Sequence, residues 1–131
     1  MKRILIDTDL IIDLLRGYPP AQAFFKNLQE GVRKEEITPF ISVITEAELQ
    51  SGANVEDPKQ QAGVDGLMGS ISKIMVDSST ARTAGDLRRR RAIPLLDALL
   101  AATALEHGMI LCTRNRKDFL PIKGLKTETP Y

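Results

Sequence analysis

Four acidic residues, Asp7, Glu48, Asp97 and Asp118, are spread along a 131-residue chain, the first three just after a short apolar run or near the start of a helix and Asp118 in the loop expected after the apolar run Met109–Thr113. Singly, each also reads as structural, because a carboxylate near a helix N-terminus meets unsatisfied N–H groups and the positive end of the helix dipole. Asp7 and Asp9 compete as caps of one helix. Thr45-Glu46-Ala47-Glu48 has the pattern of a capping box, with Thr45 at the N-cap and Glu48 returning a hydrogen bond. Brought together, the four would repel and raise one another's pKa unless a cation lay among them. An all-oxygen set selects Mg²⁺ or Mn²⁺, and Mg²⁺ held by a few carboxylates keeps room for waters and substrate phosphate oxygens. That chemistry points to phosphodiester hydrolysis.

The other reactive residue types offer no second centre. Cys112 is the sole cysteine and lies in the apolar run Met109-Ile110-Leu111-Cys112, where a buried thiol without a disulfide partner is expected. His107, the sole histidine, falls in the last turn of a helix, where imidazole suits the dipole. Zinc sites built on His or Cys are therefore disfavoured. Only three apolar residues separate Met1-Lys2-Arg3 from Asp7, which is too few for a signal peptide, and no run is long enough to span a bilayer. A cytoplasmic protein with no membrane partner is expected. Formal net charge is +1, but residues 1–66 carry 7 Lys+Arg against 11 Asp+Glu and residues 67–131 carry 11 against 6, or −4 and +5. Such a split suits an acidic site beside a basic surface.

Placing those acids together requires a particular order of elements. Ile4-Leu5-Ile6 reads as a buried strand that ends where a helix with Leu10, Ile11, Leu14 and Leu15 on one face begins. Tyr18-Pro19-Pro20 turns the chain into a second helix over Ala21–Gln29, ending at Gly31. Pro39–Ser42 is a second strand, followed by a helix from Thr45 to Gln50 that stops near Gly52 as a C′ residue. Asp57-Pro58 caps a helix carrying Val64, Leu67, Met68 and Ile71, a third strand falls near Lys73–Val76, and Asp77-Ser78-Ser79-Thr80 starts the next helix. Pro94 opens the most apolar helix, Leu95–His107, which ends at Gly108. Met109–Thr113 is a fourth strand, and Lys126–Glu128 a fifth. Strands alternating with helices imply an α/β fold of three layers, α/β/α, around a parallel sheet of four or five strands, with residues 1–131 as a single domain. In open parallel sheets ligands bind beyond the carboxyl ends of the strands, and all four acids can face that end.

Four segments in this order resemble the PIN domain, and within it the VapC-type toxins of toxin–antitoxin pairs. They are Ile4-Leu5-Ile6-Asp7-Thr8-Asp9; Ser42-Val43-Ile44-Thr45 with Glu48-Leu49 and Gly52; Asp97-Ala98-Leu99-Leu100-Ala101-Ala102-Thr103-Ala104; and Thr113-Arg114-Asn115-Arg116-Lys117-Asp118-Phe119. The resemblance implies a metal-dependent ribonuclease in which Asp7, Glu48 and Asp97 are the core acids, with Thr8, Thr45 and Thr113 as supporting hydroxyls. Many family members carry an acid where this chain has Asn115, others where it has Asp118. Asp118 is thus assigned the charge and Asn115 a neutral, water-mediated role, with Asp9 and Glu46 peripheral. Further implications are an RNA substrate, a small antitoxin partner and a homodimer.

Basic residues accompany the acids. Arg88-Arg89-Arg90-Arg91 precedes the Asp97 helix, and Arg114, Arg116 and Lys117 share a segment with Asp118, so Arg90, Arg91 and these three are candidates for RNA phosphates. The alternative for both groups is a solvated surface. Two rival functions have distinct signatures. A haloacid-dehalogenase-type phosphatase would use Asp7 and Asp9 as nucleophile and acid, but Ile11 departs from its motif. A catalytically weak binding module of the same fold would retain partner docking and lose the metal.

Overall fold

The computed structural model describes residues 1–52 and 56–131. Strand β1 (Lys2–Ile6) leads into α1 (Thr8–Leu15) and α2 (Pro19–Arg33). Strand β2 (Ile37–Ser42) leads into α3 (Val43–Ser51), followed by α4 (Pro58–Ser70), β3 (Ser72–Ile74), α5 (Ser78–Arg91) and α6 (Leu95–His107). The chain closes with β4 (Ile110–Cys112), the single turn α7 (Arg116–Phe119) and β5 (Thr127–Glu128). The five strands form one parallel sheet in the order β3-β2-β1-β4-β5. Its strand order reverses between β1 and β4, the position at which an α/β sheet leaves a crevice for a ligand.

Alternation along β1 builds the layers. Leu5 packs on one face with Ala98, Ala101, Ala102 and Leu111. Ile4 and Ile6 point the other way, joining Leu10, Ile11, Leu28, Ile41 and Val64. A strand buried on both faces reads as a continuous apolar run, which is why Ile4-Leu5-Ile6 has no polar member. Among the described residues no helix is long and apolar enough to cross a membrane.

Several boundaries differ from the expected ones. Helix α2 runs on to Arg33 instead of stopping at Gly31. Gly31 is buried inside it, and a Cβ there would lie 2.7 Å from Ile37 Cδ1. The missing side chain allows α2 to lie close against β2, so this glycine serves packing, not termination. Gly108 does end α6 in the left-handed conformation, φ 63°. Gly52, by contrast, has φ −76° and ψ 150°, an extended conformation open to any residue, so it is not a left-handed C′.

Helix α3 also starts earlier. Its N-cap is Ser42, whose Oγ accepts from Ile44 N at 3.0 Å, so β2 passes into α3 without a loop. Thr45 lies inside the helix, fully buried. The capping-box reading of Thr45 and Glu48 is therefore wrong, and Glu48 is released from a structural duty. Ser42→Ala should cost about 0.5–2 kcal/mol of stability through loss of this cap. Urea unfolding measures it, and an unchanged midpoint would mean that Ser42 does not cap α3.

Candidate functional site

The acids collect at the β1/β4 crevice. Asp7 directly follows β1, and its backbone N–H donates to Cys112 O at 3.0 Å, which continues the strand pairing by one residue. Its side chain caps nothing and is 6% exposed. Thr113, fully buried just after β4, donates its hydroxyl to Asp7 Oδ2 at 2.7 Å. The same Thr113 oxygen accepts from Asn115 N at 3.0 Å, which fixes the direction of the hydroxyl.

Burial pushes the Asp7 carboxyl up to about 6, with the charges of Asp9 and Asp97 adding to the rise against the Thr113 hydrogen bond. Asp97, in the first turn of α6, is also raised, by burial first and then by Asp118, Glu48 and Asp9. Asp97 thus feels the charges of Asp118, Glu48 and Asp9 across this end of the sheet, and Asp7 those of Asp9 and Asp97. Among the described residues, no three His, Cys, Asp or Glu side chains are already grouped closely enough to hold a metal ion.

Glu48 is half-buried on α3 and is oriented by Thr8. The Thr8 hydroxyl reaches Glu48 Oε1 at 2.7 Å and shares a 3.0 Å contact with Thr45 Oγ1. Because α3 begins at Val43, Thr45 and Glu48 fall three residues apart on one helical face, directed at the end of β1. Asp118 is exposed and lies in the first turn of α7 rather than in a loop. Its backbone N–H donates to Asn115 O at 2.9 Å, and its charge is the nearest in effect on Asp97.

Asp9 belongs to the cluster, contrary to the peripheral role expected of it. Asn115 Nδ2 donates to Asp9 Oδ2 at 2.9 Å, and Asp9 raises both Asp7 and Asp97. Glu46 is peripheral, paired with Lys73 at 2.6 Å. The basic candidates divide. Arg114 reaches Asp9 and Asp13 at 3.6 and 3.3 Å. Arg116 donates to Thr127 Oγ1 at 3.0 Å, and Lys117 is exposed. Arg90 and Arg91 are exposed in the last turn of α5; among the described residues neither forms an ion pair with the cluster.

Two residues escaped sequence reasoning, Asp13 and Tyr131. Asp13 is 5% exposed, and Tyr131 donates to it at 2.7 Å. The usable signal was slight: Asp9 and Asp13 stand one helical turn apart. Cys112 is a buried thiol as expected, pushed up to about 12 by burial.

Residues 4–123 match the family described as PIN domain. A tRNA(fMet)-specific endonuclease VapC of Shigella flexneri is 26% identical, covering 98% of each chain. Ribonuclease VapC19 of Mycobacterium tuberculosis is 32% identical over 97% of this chain and 98% of its own. Among solved structures, a toxin-antitoxin complex from Klebsiella pneumoniae contains a chain that is 30% identical, covers 98% of both chains and superposes with a TM-score of 0.76.

Proposed function

Since the chain belongs to the PIN domain family, and to its VapC-type members, we propose that it is a metal-dependent endoribonuclease and the toxin of a toxin–antitoxin pair. The observation that carries the reading is Asp7: a nearly buried carboxylate, pushed up to about 6 by burial and by other acids, at the crevice of a parallel sheet. A group so placed is costly unless a cation shares the site. The donor set, carboxylates and hydroxyls without sulfur or imidazole, suits Mg²⁺ or Mn²⁺.

Asp7, Glu48, Asp97 and Asp118 are the residues that would hold the ion. When bound, it supplies a hydroxide at neutral pH and charge stabilisation at the leaving oxygen. The chain's own contribution is orientation. Thr113 fixes one oxygen of Asp7, and Thr8 fixes one of Glu48. Side-chain hydroxyls that hold ligating oxygens reduce the reorganisation required on binding. Asn115, neutral, holds Asp9 instead of adding a further charge.

By likeness to the Klebsiella pneumoniae complex, the partner proposed is a protein antitoxin. A homodimer is proposed as well, since Leu95, Leu96 and Leu120 expose 45–62% of their surface on the described part of the molecule. The cytoplasm is the proposed location. The test is incubation of the purified chain with total RNA, transfer RNA included, in Mg²⁺, Mn²⁺ or EDTA. Cleavage confined to the metal samples is expected. Attack by water with the 3′ oxygen leaving gives 5′-phosphate and 3′-hydroxyl ends. Cutting in EDTA, or 2′,3′-cyclic phosphate ends, would reject the metal mechanism.

A further inference from the structure

We propose that Asp13 and Tyr131 are positioning residues that hold the Arg114 guanidinium at the rim of the acidic cluster, where it takes a phosphate of the RNA backbone. The ligand rests on the endoribonuclease reading above; the geometry rests on residues outside the proposed metal set.

Asp13 lies on α1 one turn beyond Asp9, so both carboxylates share a helical face. With 5% of its surface exposed, it needs partners, because a buried charge without them is strongly unfavourable. Tyr131 Oη donates to Asp13 Oδ2 at 2.7 Å, and Arg114 Nε lies 3.3 Å from the same oxygen. At the other end of the guanidinium, Nη2 is 3.6 Å from Asp9 Oδ2. Arg114 therefore straddles two acids one helical turn apart.

Tyr131 is itself fixed. Its ring stands edge-on to Tyr18 at 5.7 Å and to Phe24 at 6.5 Å, drawing the segment after β5 back over α1 and α2. Burial, then the neighbouring Asp13, raises the phenol above its ordinary value, so the hydroxyl stays a donor. The Arg114 side chain is nevertheless 42% exposed. A guanidinium has five donors in one plane, so contacts through Nε and Nη2 leave others free for a phosphate beside the cluster. Side-chain freedom already removed by Asp13 need not be lost again when RNA binds.

The test uses the full chain with Asp97→Asn, to prevent cutting, and a labelled transfer RNA in Mg²⁺ across a KCl series. Arg114→Ala should weaken binding about tenfold and flatten the salt dependence by about 0.7–0.9, the share of one phosphate contact. Tyr131→Phe keeps charge and ring and removes only the hydroxyl; it should weaken binding about threefold, as for one modest hydrogen bond. Asp13→Asn should weaken binding too, although removing an acid would by charge alone tighten it. In an Arg114→Ala background neither change should weaken binding further, and Asp13→Asn should show only the slight tightening that loss of its charge brings.

With Arg114 present, unchanged binding in Tyr131→Phe or tighter binding in Asp13→Asn would overturn the positioning role, as would a weakening by either change that persists without Arg114. Cleavage is scored separately on chains that retain Asp97. Uncut RNA with the binding pattern intact would overturn the ribonuclease reading alone, whereas normal cutting with unmoved binding would overturn the positioning role alone.

Discussion

Asp7→Asn and Asp97→Asn should each lower RNA cleavage by about 10²-fold or more, on the scale of removing one stabilising group from a preorganised site. Each substitution is nearly isosteric, so shape and packing survive while a negative ligand disappears. Asp7→Asn keeps an acceptor for the Thr113 hydroxyl, which is 2.7 Å from Oδ2 in the parent. Asp97→Asn removes a charge that Asp118, Glu48 and Asp9 all act upon. Initial rates on a defined RNA in Mn²⁺ measure the loss, with circular dichroism confirming the fold. Full activity in both variants would remove these two acids from the chemistry, and the phosphatase reading would predict a covalent aspartyl phosphate at Asp7, detectable by mass, in place of RNA fragments.

The same acid should weaken the metal-free fold. Asp7 has a folded-state value of about 6 against an ordinary 3.8. Its protonated form therefore favours the native state, and the stability this confers is complete below pH 4 and is lost as pH rises through 6. The full span corresponds to an upper bound of about 3 kcal/mol at neutral pH. In EDTA at pH 7.5, Asp7→Asn should melt several degrees above the parent, and the gap should close near pH 4. Excess Mn²⁺ should reverse the order, since a ligand present at about a thousand times its Kd stabilises the parent by about 4.1 kcal/mol, more than the gap, and the variant much less. Because Asp7 makes no capping bond, the substitution removes no helix cap. A variant that melts lower than the parent in EDTA, with no pH dependence in the difference, would contradict this account.

The order of elements was legible because apolar period and caps agree along most of the chain. Ile4-Leu5-Ile6, Asp57-Pro58 and the Pro94-to-Gly108 helix are local signals, and the structure contains the elements they announce. Where two signals competed, the tertiary one won. Ser42 and Thr45 can both cap a helix, but Ser42 already has the extended backbone of a strand end, φ −82° and ψ 151°, that a cap requires. Gly31 looks like a stop until Ile37, six residues later, is folded against it.

The acids at strand ends could be anticipated from the α/β pattern. Their partners could not. Asp9 with Asn115, and Asp13 with Arg114 and Tyr131, join residues 101–118 positions apart, and no periodicity carries such information. Asp9 looked like a spare cap because its membership of the cluster is set by Asn115, which reads in the sequence only as a missing acid.

The position of β1 between β2 and β4 has a consequence for the newborn chain. Asp7 leaves the ribosome well before the residue that holds it, for the hydroxyl comes from Thr113, 106 positions later. Asp97 and Asp118 also arrive late, on α6 and α7. Contacts of such separation form slowly and only after the intervening chain is available. A ribosome making this protein therefore carries no assembled acidic cluster until the strand before Thr113 has emerged and docked beside β1. Fragments released by premature termination before that point have Asp7 without its clamp and lack the fourth acid. Every shorter fragment is thus denied the assembled acidic cluster and, on the reading proposed above, the ability to cut RNA.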